Sequence, residues 1–153
     1  MNAPLRYKRI PRKELVLIQP HWEALNRLHL EDTVYFKKHY ASFSFEKRAH
    51  VWLQLKEEEL QILVAESEDS IVGYCVSRLS KGGKGEIDSL FVAEEHRKKG
   101  IGEALLKMSI AWLQENNCYP IQLTVSYGHE SVIGFYKKLE FFPRATVLEF
   151  KKD

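Results

Sequence analysis

The stretch Glu86–Leu106, EIDSLFVAEEHRKKGIGEALL, decides how this chain is read. Its opening residues, Glu86 to Val92, alternate polar and apolar, the period of a half-buried strand. From Ile101 the period changes. Ile101, Ala104, Leu105, Met108, Ala111 and Trp112 fall on one helical stripe, and Asn117 with Pro120 brings it to a stop. Between strand and helix lies a basic, glycine-containing turn, Arg97-Lys98-Lys99-Gly100-Ile101-Gly102. The first N–H groups of a helix lack intrahelical partners, and together with the macrodipole they attract phosphate oxygens. Glycines let an anion approach the backbone, and the cations add charge. A tight turn with close helix packing would use the same residues. The spacing is not GxxxxGK[ST], and a dinucleotide fingerprint would need a third glycine near Leu105 and a parallel βαβ unit opening the domain.

Outward from this junction the chain reads as one order, β, α, α, β, β, β, α, β, α, β. Leu5–Ile10 is a weak strand interrupted by Pro11, suited to a sheet edge. Trp22, Ala24, Leu25 and Leu28 recur at helical spacing after Pro20, and a second helix begins at Ser42 or Ser44 and carries Phe45, Ala49, Trp52 and Leu53. The piece between them, EDTVYFKKHYASF, is aromatic and irregular. Leu60–Ala65 and Ile71–Leu79 form a hairpin across Glu68, Asp69 and Ser70, and the glycine-rich turn 81–85 leads into Glu86–Val92, so a meander is expected. Downstream, Ile121–Tyr127 reads as a strand, Glu130–Leu139 as a short helix, and Phe141–Phe150 as one or two terminal strands broken near Pro143.

The 153 residues are enough for a single domain, 1–153, and 44% hydrophobic against 29% charged content is that of a globular chain. The 23 Lys and Arg against 21 Asp and Glu leave +2, too balanced for general attraction to nucleic acid or a membrane surface. The basic arm Arg6, Lys8, Arg9, Arg12 and Lys13 is read as a solvated face, so no nucleic-acid partner is expected. The N-terminal run has no apolar export-signal core, and no stretch approaches membrane-spanning length. Cys75 and Cys118 lack CxxC spacing, which fits a reducing cytoplasm and argues against a disulfide framework or a cysteine zinc site. The 6 histidines include no HExxH or paired metal spacing, so no metal is expected and most are read as surface residues.

Two motifs resemble the GNAT superfamily of acyl-CoA-dependent N-acetyltransferases, over nearly the whole chain. Arg97 to Gly102 reproduces [Q/R]-x-x-G-x-[G/A] between a fourth strand and the following helix, and His129-Glu-Ser-Val-Ile-Gly-Phe-Tyr136-Lys-Lys-Leu-Glu-Phe141 has the frame of a second marker that ends in Tyr-x-x-x-Gly-Phe. His129 stands where Asn is common, and Glu140 replaces the usual Gly. The resemblance implies an α+β fold of three layers, a mixed, mostly antiparallel central sheet with helices on both faces. It implies transfer of an acetyl group from acetyl-CoA to a primary amine of a small molecule or peptide, by direct attack in a ternary complex. Pantetheine would pair with Phe91 and Val92 like an added strand, near His129. The pyrophosphate would sit on the amides of Lys98, Lys99, Gly100, Ile101 and Gly102, with Arg97 contributing by backbone or salt bridge. A homodimer is compatible with it. A different class, an acyl-CoA-binding regulatory module without catalysis, keeps the same cleft.

Acetyl transfer to an amine needs a neutral amine, a polarised thioester carbonyl and a proton for the departing thiolate. Tyr136 lies on the stripe Val132, Phe135, Tyr136 and Leu139, so periodicity reads it as core, whereas the family frame makes it the general acid. Glu86 and Asp88 share one strand face. In some relatives a carboxylate at one or other of these positions deprotonates the ammonium; both also suit recognition of a cationic substrate, or simple solvation. Tyr35, Phe36, His39, Tyr40 and Phe43 form an aromatic cluster that the resemblance places over the acceptor pocket and that packing of a long loop explains equally well. Cys75 is read as packing within a strand, and Cys118 follows a helix without a sequence neighbour that would activate it as a nucleophile.

Overall fold

The computed structural model describes residues 4–152. Its sheet has five strands in the order β1-β2-β3-β4-β5: β1 Leu5–Ile10, β2 Leu60–Ser67, β3 Ser70–Ser80, β4 Lys84–Val92 and β5 Ile121–Leu123. β2, β3 and β4 are antiparallel neighbours, as the expected hairpin and meander require; β1 pairs antiparallel with β2 at the sheet edge, and β5 joins β4 in parallel. A parallel neighbour requires a crossover, and the helix α4, Ile101–Glu115, supplies it. Before the meander come α1 Gln19–Asp32, α2 Lys37–Ala41 and α3 Phe45–Leu53; after β5 comes α5 Ile133–Lys137.

Helices cover both faces. On one, Trp22 of α1 and Phe45 and Trp52 of α3 pack with Ile62, Val64, Tyr74, Val76 and Phe91; on the other, Ile101, Leu105, Leu106 and Leu113 of α4 pack with Leu63, Ala65, Cys75 and Ile87. Burial on both faces explains why β2 reads as a nearly continuous apolar run rather than a clean alternation. Ser44 caps α3 by accepting from the Lys47 N–H at 3.2 Å, one of the two serines expected there. Asn117, at φ 58°, turns the chain out of α4.

Three expectations are corrected. Phe141–Phe150 forms no strand, and Val147, Leu148 and Phe150 are 89%, 90% and 89% exposed. Their β-propensity is real, but pairing needs a partner edge, and β5 offers a ladder of only 3 residues. That ladder ends at Leu123 instead of reaching Tyr127, because beyond it the chain diverges from β4. The segment read as irregular between the first two helices contains the short helix α2.

Candidate active site

At the end of β4 the basic turn takes the form its glycines allow. Gly100 sits at φ +80°, a left-handed conformation that a side chain would strain, and α4 starts directly after it with no side chain capping its N-terminus. The leading N–H groups of this 15-residue helix therefore have no capping side chain, the arrangement that suits an anion. Arg97 folds back on β4: its Nε donates to the Val92 carbonyl at 2.8 Å, and its guanidinium lies 5.2 Å from the Phe91 ring centroid. Arg97, Lys98 and Lys99 are all exposed, and Arg97 in addition braces the end of β4.

Further down β4 the ladder to β3 slips. Val76 lies opposite Ser89 and Ser77 opposite Ile87, leaving Asp88 as the extra residue of a bulge. Bulges re-aim side chains, and here two neighbours serve the same face. The Ser89 hydroxyl meets the buried Tyr74 hydroxyl at 2.7 Å, while Asp88 accepts from the Trp52 indole N–H at 3.0 Å. On the other side β4 and β5 pair only through Gly85–Ile87 and Ile121–Leu123, then part. The split opens a cleft of about 110 Å³ whose walls include Ser89 and Leu90 on one side and Val125 and Ser126 on the other; Leu25 and His29 of α1, His129 and Tyr136 complete it.

Beside the split, a polar cavity of about 240 Å³ is lined by Arg48, Arg78, Glu86, Asp88, Gln122 and Thr124. Arg78 holds both strand carboxylates, Glu86 at 2.9 Å and Asp88 at 3.0 Å, and Arg48 stands 3.5 Å from Asp88. The Asp88 side chain is only 6% exposed. Burial pushes its carboxyl up, against the opposing pull of Trp52, Arg48 and Arg78. Glu86 is 33% exposed. Against its own smaller degree of desolvation, the Arg78 guanidinium holds it below the usual carboxylate range.

The β5 side of the cleft is built from imidazoles and hydroxyls. His29 Nδ1 is 3.0 Å from Ser126 Oγ, and the Tyr40 hydroxyl donates to that oxygen at 2.7 Å. His129 Nδ1 is 2.8 Å from Asp32 Oδ2, and its ring lies 5.2 Å from that of His29. Gly128 makes this closeness feasible: at φ +102°, a Cβ there would stand 2.1 Å from the Asp32 carbonyl oxygen. Burial, then the nearby His129, pushes His29 below its ordinary value, with Asp32 opposing. Tyr136 lines the same cleft, and burial pushes its phenol up to about 12.

The structure thus brings Asp88, His129 and Tyr136 around one cleft, sets Glu86 in the adjoining cavity, and puts the turn 97–102 at the end of β4. His129, placed by its motif frame, reaches α1. Sequence reasoning missed His29, Ser126, Arg48, Arg78 and Trp52. Of these, His29 carried a local signal, since it follows Leu25 by one helical turn on the face α1 presents to the cleft. Of the aromatic cluster, Tyr40 reaches Ser126 of the cleft wall through its hydroxyl, and His39 packs edge-on against Tyr40 and Phe43. Cys75 is buried, receives a hydrogen bond from Ser109 at 3.2 Å, and is pushed up to about 11 chiefly by burial, which leaves it a thiol at neutral pH. Among the described residues no helix is long and apolar enough to cross a membrane, and no group of three or more His, Cys, Asp or Glu is placed to hold a metal.

The chain is 35% identical over 99 residues to an N-alpha-acetyltransferase of Sulfurisphaera tokodaii, covering 57% of this chain and 59% of the relative. It is 34% identical over 74 residues to streptothricin acetyltransferase A of Bacillus subtilis, covering 48% of this chain and 43% of the relative. Among solved structures, a GCN5-related N-acetyltransferase from Ralstonia eutropha JMP134 superposes with a TM-score of 0.77 at 18% identity, over 95% of this chain and 97% of that one. An aminoglycoside acetyltransferase from a soil metagenome, solved with sisomicin, superposes at 0.70 and 18% identity, over 95% and 93%. The model of the acetyltransferase (GNAT) family matches residues 22–141, and the chain belongs to that family.

Proposed function

We propose that this protein is an acetyl-CoA-dependent N-acetyltransferase acting on a primary amine of a small molecule or peptide by direct attack. One observation carries the reading: the β4–β5 split, with Tyr136 in its wall, is formed along the strand that leads into an uncapped, glycine-preceded helix N-terminus. The residues fit the donor. Lys98 to Gly102 offer backbone N–H groups and charge for a pyrophosphate, and the strand edge beyond Ile87 offers backbone groups to an extended pantetheine at Phe91 and Val92, next to His129. Acetyl-CoA, when bound, supplies the thioester carbonyl. The amine nitrogen loses a proton, its lone pair forms the C–N bond, and the C–S bond breaks with its electron pair going to sulfur. Tyr136, protonated throughout the neutral range, gives its proton to that sulfur.

Of the strand carboxylates, Glu86 is the one open to an incoming ammonium, and it draws cationic acceptors to the split. Asp88, gripped by Trp52, Arg48 and Arg78, fixes those groups around the base of the cleft. The names of the relatives span α-amino, streptothricin and aminoglycoside acetylation, so both peptide and small-molecule amines belong in the first panel. Two buried free thiols suit a cytoplasmic setting. The test is thiol release from acetyl-CoA across that panel, beside calorimetric CoA binding. Amine-dependent release supports the reading. Tight CoA binding without it would overturn catalysis in favour of an acyl-CoA-binding module.

A further inference from the structure

The reaction has to dispose of the acceptor's proton, and the strand carboxylates are poorly placed for it. Primary amines have pKa values of about 8 to 10, so at neutral pH the acceptor arrives largely as an ammonium that cannot attack. Asp88 already accepts from an indole N–H and stands within ion-pair distance of two guanidiniums. Glu86 is paired with Arg78 at 2.9 Å, and taking a proton would cost it that ion pair.

The opposite wall offers a better acceptor. Ser126 Oγ receives the Tyr40 hydroxyl proton at 2.7 Å, which leaves the serine's own proton free to point at His29 Nδ1, 3.0 Å away. All the members of this chain sit at or beside the cleft that Tyr136 lines, on α1, α2 and the segment after β5. We propose that His29, acting through Ser126, is the terminal acceptor of the proton lost by the amine, with Tyr40 holding the serine in place. This role rests on the reading of the protein as an N-acetyltransferase.

The step balances. An N–H bond of the ammonium breaks and an O–H bond forms on Ser126, while the serine's original O–H bond breaks and an N–H bond forms at His29 Nδ1. The imidazolium then returns a proton to solvent, and after C–N bond formation the nitrogen sheds a second proton, which restores the Tyr136 phenol once it has protonated the departing sulfur. Every titratable group facing His29 bears on this exchange. His129 lies 5.2 Å away ring to ring, Asp32 is bonded to His129, Tyr40 stacks on His29 at 5.8 Å, and Asp88 and Tyr136 share the cleft wall. Burial and His129 keep His29 neutral before the step, while the Asp32 carboxylate offsets the positive charge formed during it. Tyr136 stands in the same cleft with the opposite task, so the acid and the base face the reaction from separate elements.

The experiment compares parent, His29→Gln and Ser126→Ala in steady-state acetylation from pH 5 to 9, with a strongly basic amine and with a weakly basic one that is already neutral in the assay. His29→Gln should lower kcat for the strongly basic amine by at least about tenfold, within the range of about 10²–10⁴ typical of general-base assistance. The KM for acetyl-CoA should stay within about twofold, and the parent's pH profile should give way to one that rises only with the acceptor's own deprotonation. The weakly basic amine should lose less. Ser126→Ala, a small change that spares the imidazole, should reproduce the loss if the relay runs through the hydroxyl. Imidazole added to His29→Gly should restore part of the rate. A folded His29→Gln that keeps both kcat and the parent's pH profile overturns the proposal, as does a normal pH profile in Ser126→Ala. Parent protein that releases no thiol with any amine overturns the acetyltransferase reading itself, a result distinct from an active parent with an indifferent His29.

Discussion

The two walls of the cleft are built on different principles. The β4 wall is backbone first: a strand paired along its length with β3, bulged once at Asp88, and locked by Arg48, Arg78, Trp52 and Arg97. The β5 wall has a ladder of only 3 residues, and past Leu123 the segment to His129 is kept in place by side chains reaching from α1 and α2. Ladder hydrogen bonds do not depend on side-chain identity, whereas each contact of the second wall hangs on one residue. On the proposed reading, donor binding would rest on a preformed scaffold, and the proton chemistry on individual side chains that substitution can remove one at a time.

The sharpest way to use that difference is Tyr136→Phe. The ring remains to pack beside Phe135 and Phe141, so the scaffold and acetyl-CoA binding should stay near normal. Removal of a general acid typically lowers turnover about 10²–10⁴-fold, and a fall of at least about tenfold in kcat is expected even where water partly substitutes. A donor with a more acidic thiol should suffer less. Because burial lifts the phenol to about 12, the parent should show no alkaline limb from Tyr136 in assays below pH 10. Equal losses with both donors, or none when chemistry limits, would return the residue to a packing role.

The next effect falls on the opposite wall and on stability. Asp88→Ala leaves Arg48 and Arg78 facing each other and orphans the Trp52 indole N–H. Removing one partner of a buried ion pair costs about 3–5 kcal/mol. Since the guanidiniums are 34% and 28% exposed, solvent screening reduces this to roughly 2 kcal/mol. Urea unfolding measures it, and an unchanged midpoint would show that the bulge needs no carboxylate. Glu86→Gln should act more gently, raising the acceptor KM a few-fold for cationic amines while kcat holds. A neutral acceptor should not notice the change, and a fall in kcat instead would make Glu86 part of the proton chemistry.

The same contrast explains what was legible in the sequence. β4, its turn and α4 are local patterns, so their periods, glycines and stop signal can be read without knowing the fold; the stripe beginning at Ile101 predicts a helix to Asn117, and α4 runs to Glu115. The His129 and Tyr136 frame was legible as a motif, and both residues line the cleft. His29 and Ser126 lie 97 positions apart, and no periodicity announces a contact that only the crossover creates. The terminal residues Phe141–Phe150 mislead for a related reason: alternation reports which face a strand would bury, not whether an edge is there to receive it.

The smallest effect tests whether the β5 wall carries its imidazole neutral, as the proton chemistry requires. In the folded protein burial, then His129, depresses His29 below its ordinary value, while in the unfolded chain it titrates near 6.5. Between those two values the unfolded state binds more protons, so stability rises with pH there. The contribution is fully present above about pH 6.5 and is lost as pH falls through the folded value. Urea unfolding of parent and His29→Gln at pH 7.5 and again at pH 5.5 isolates it, since the remaining titrating groups are common to both proteins. The parent should lose more stability on acidification than the variant does. A parent and a variant that weaken equally would mean that His29 is not desolvated in the cleft, and the β5 wall would then be as indifferent to its side chains as the β4 ladder.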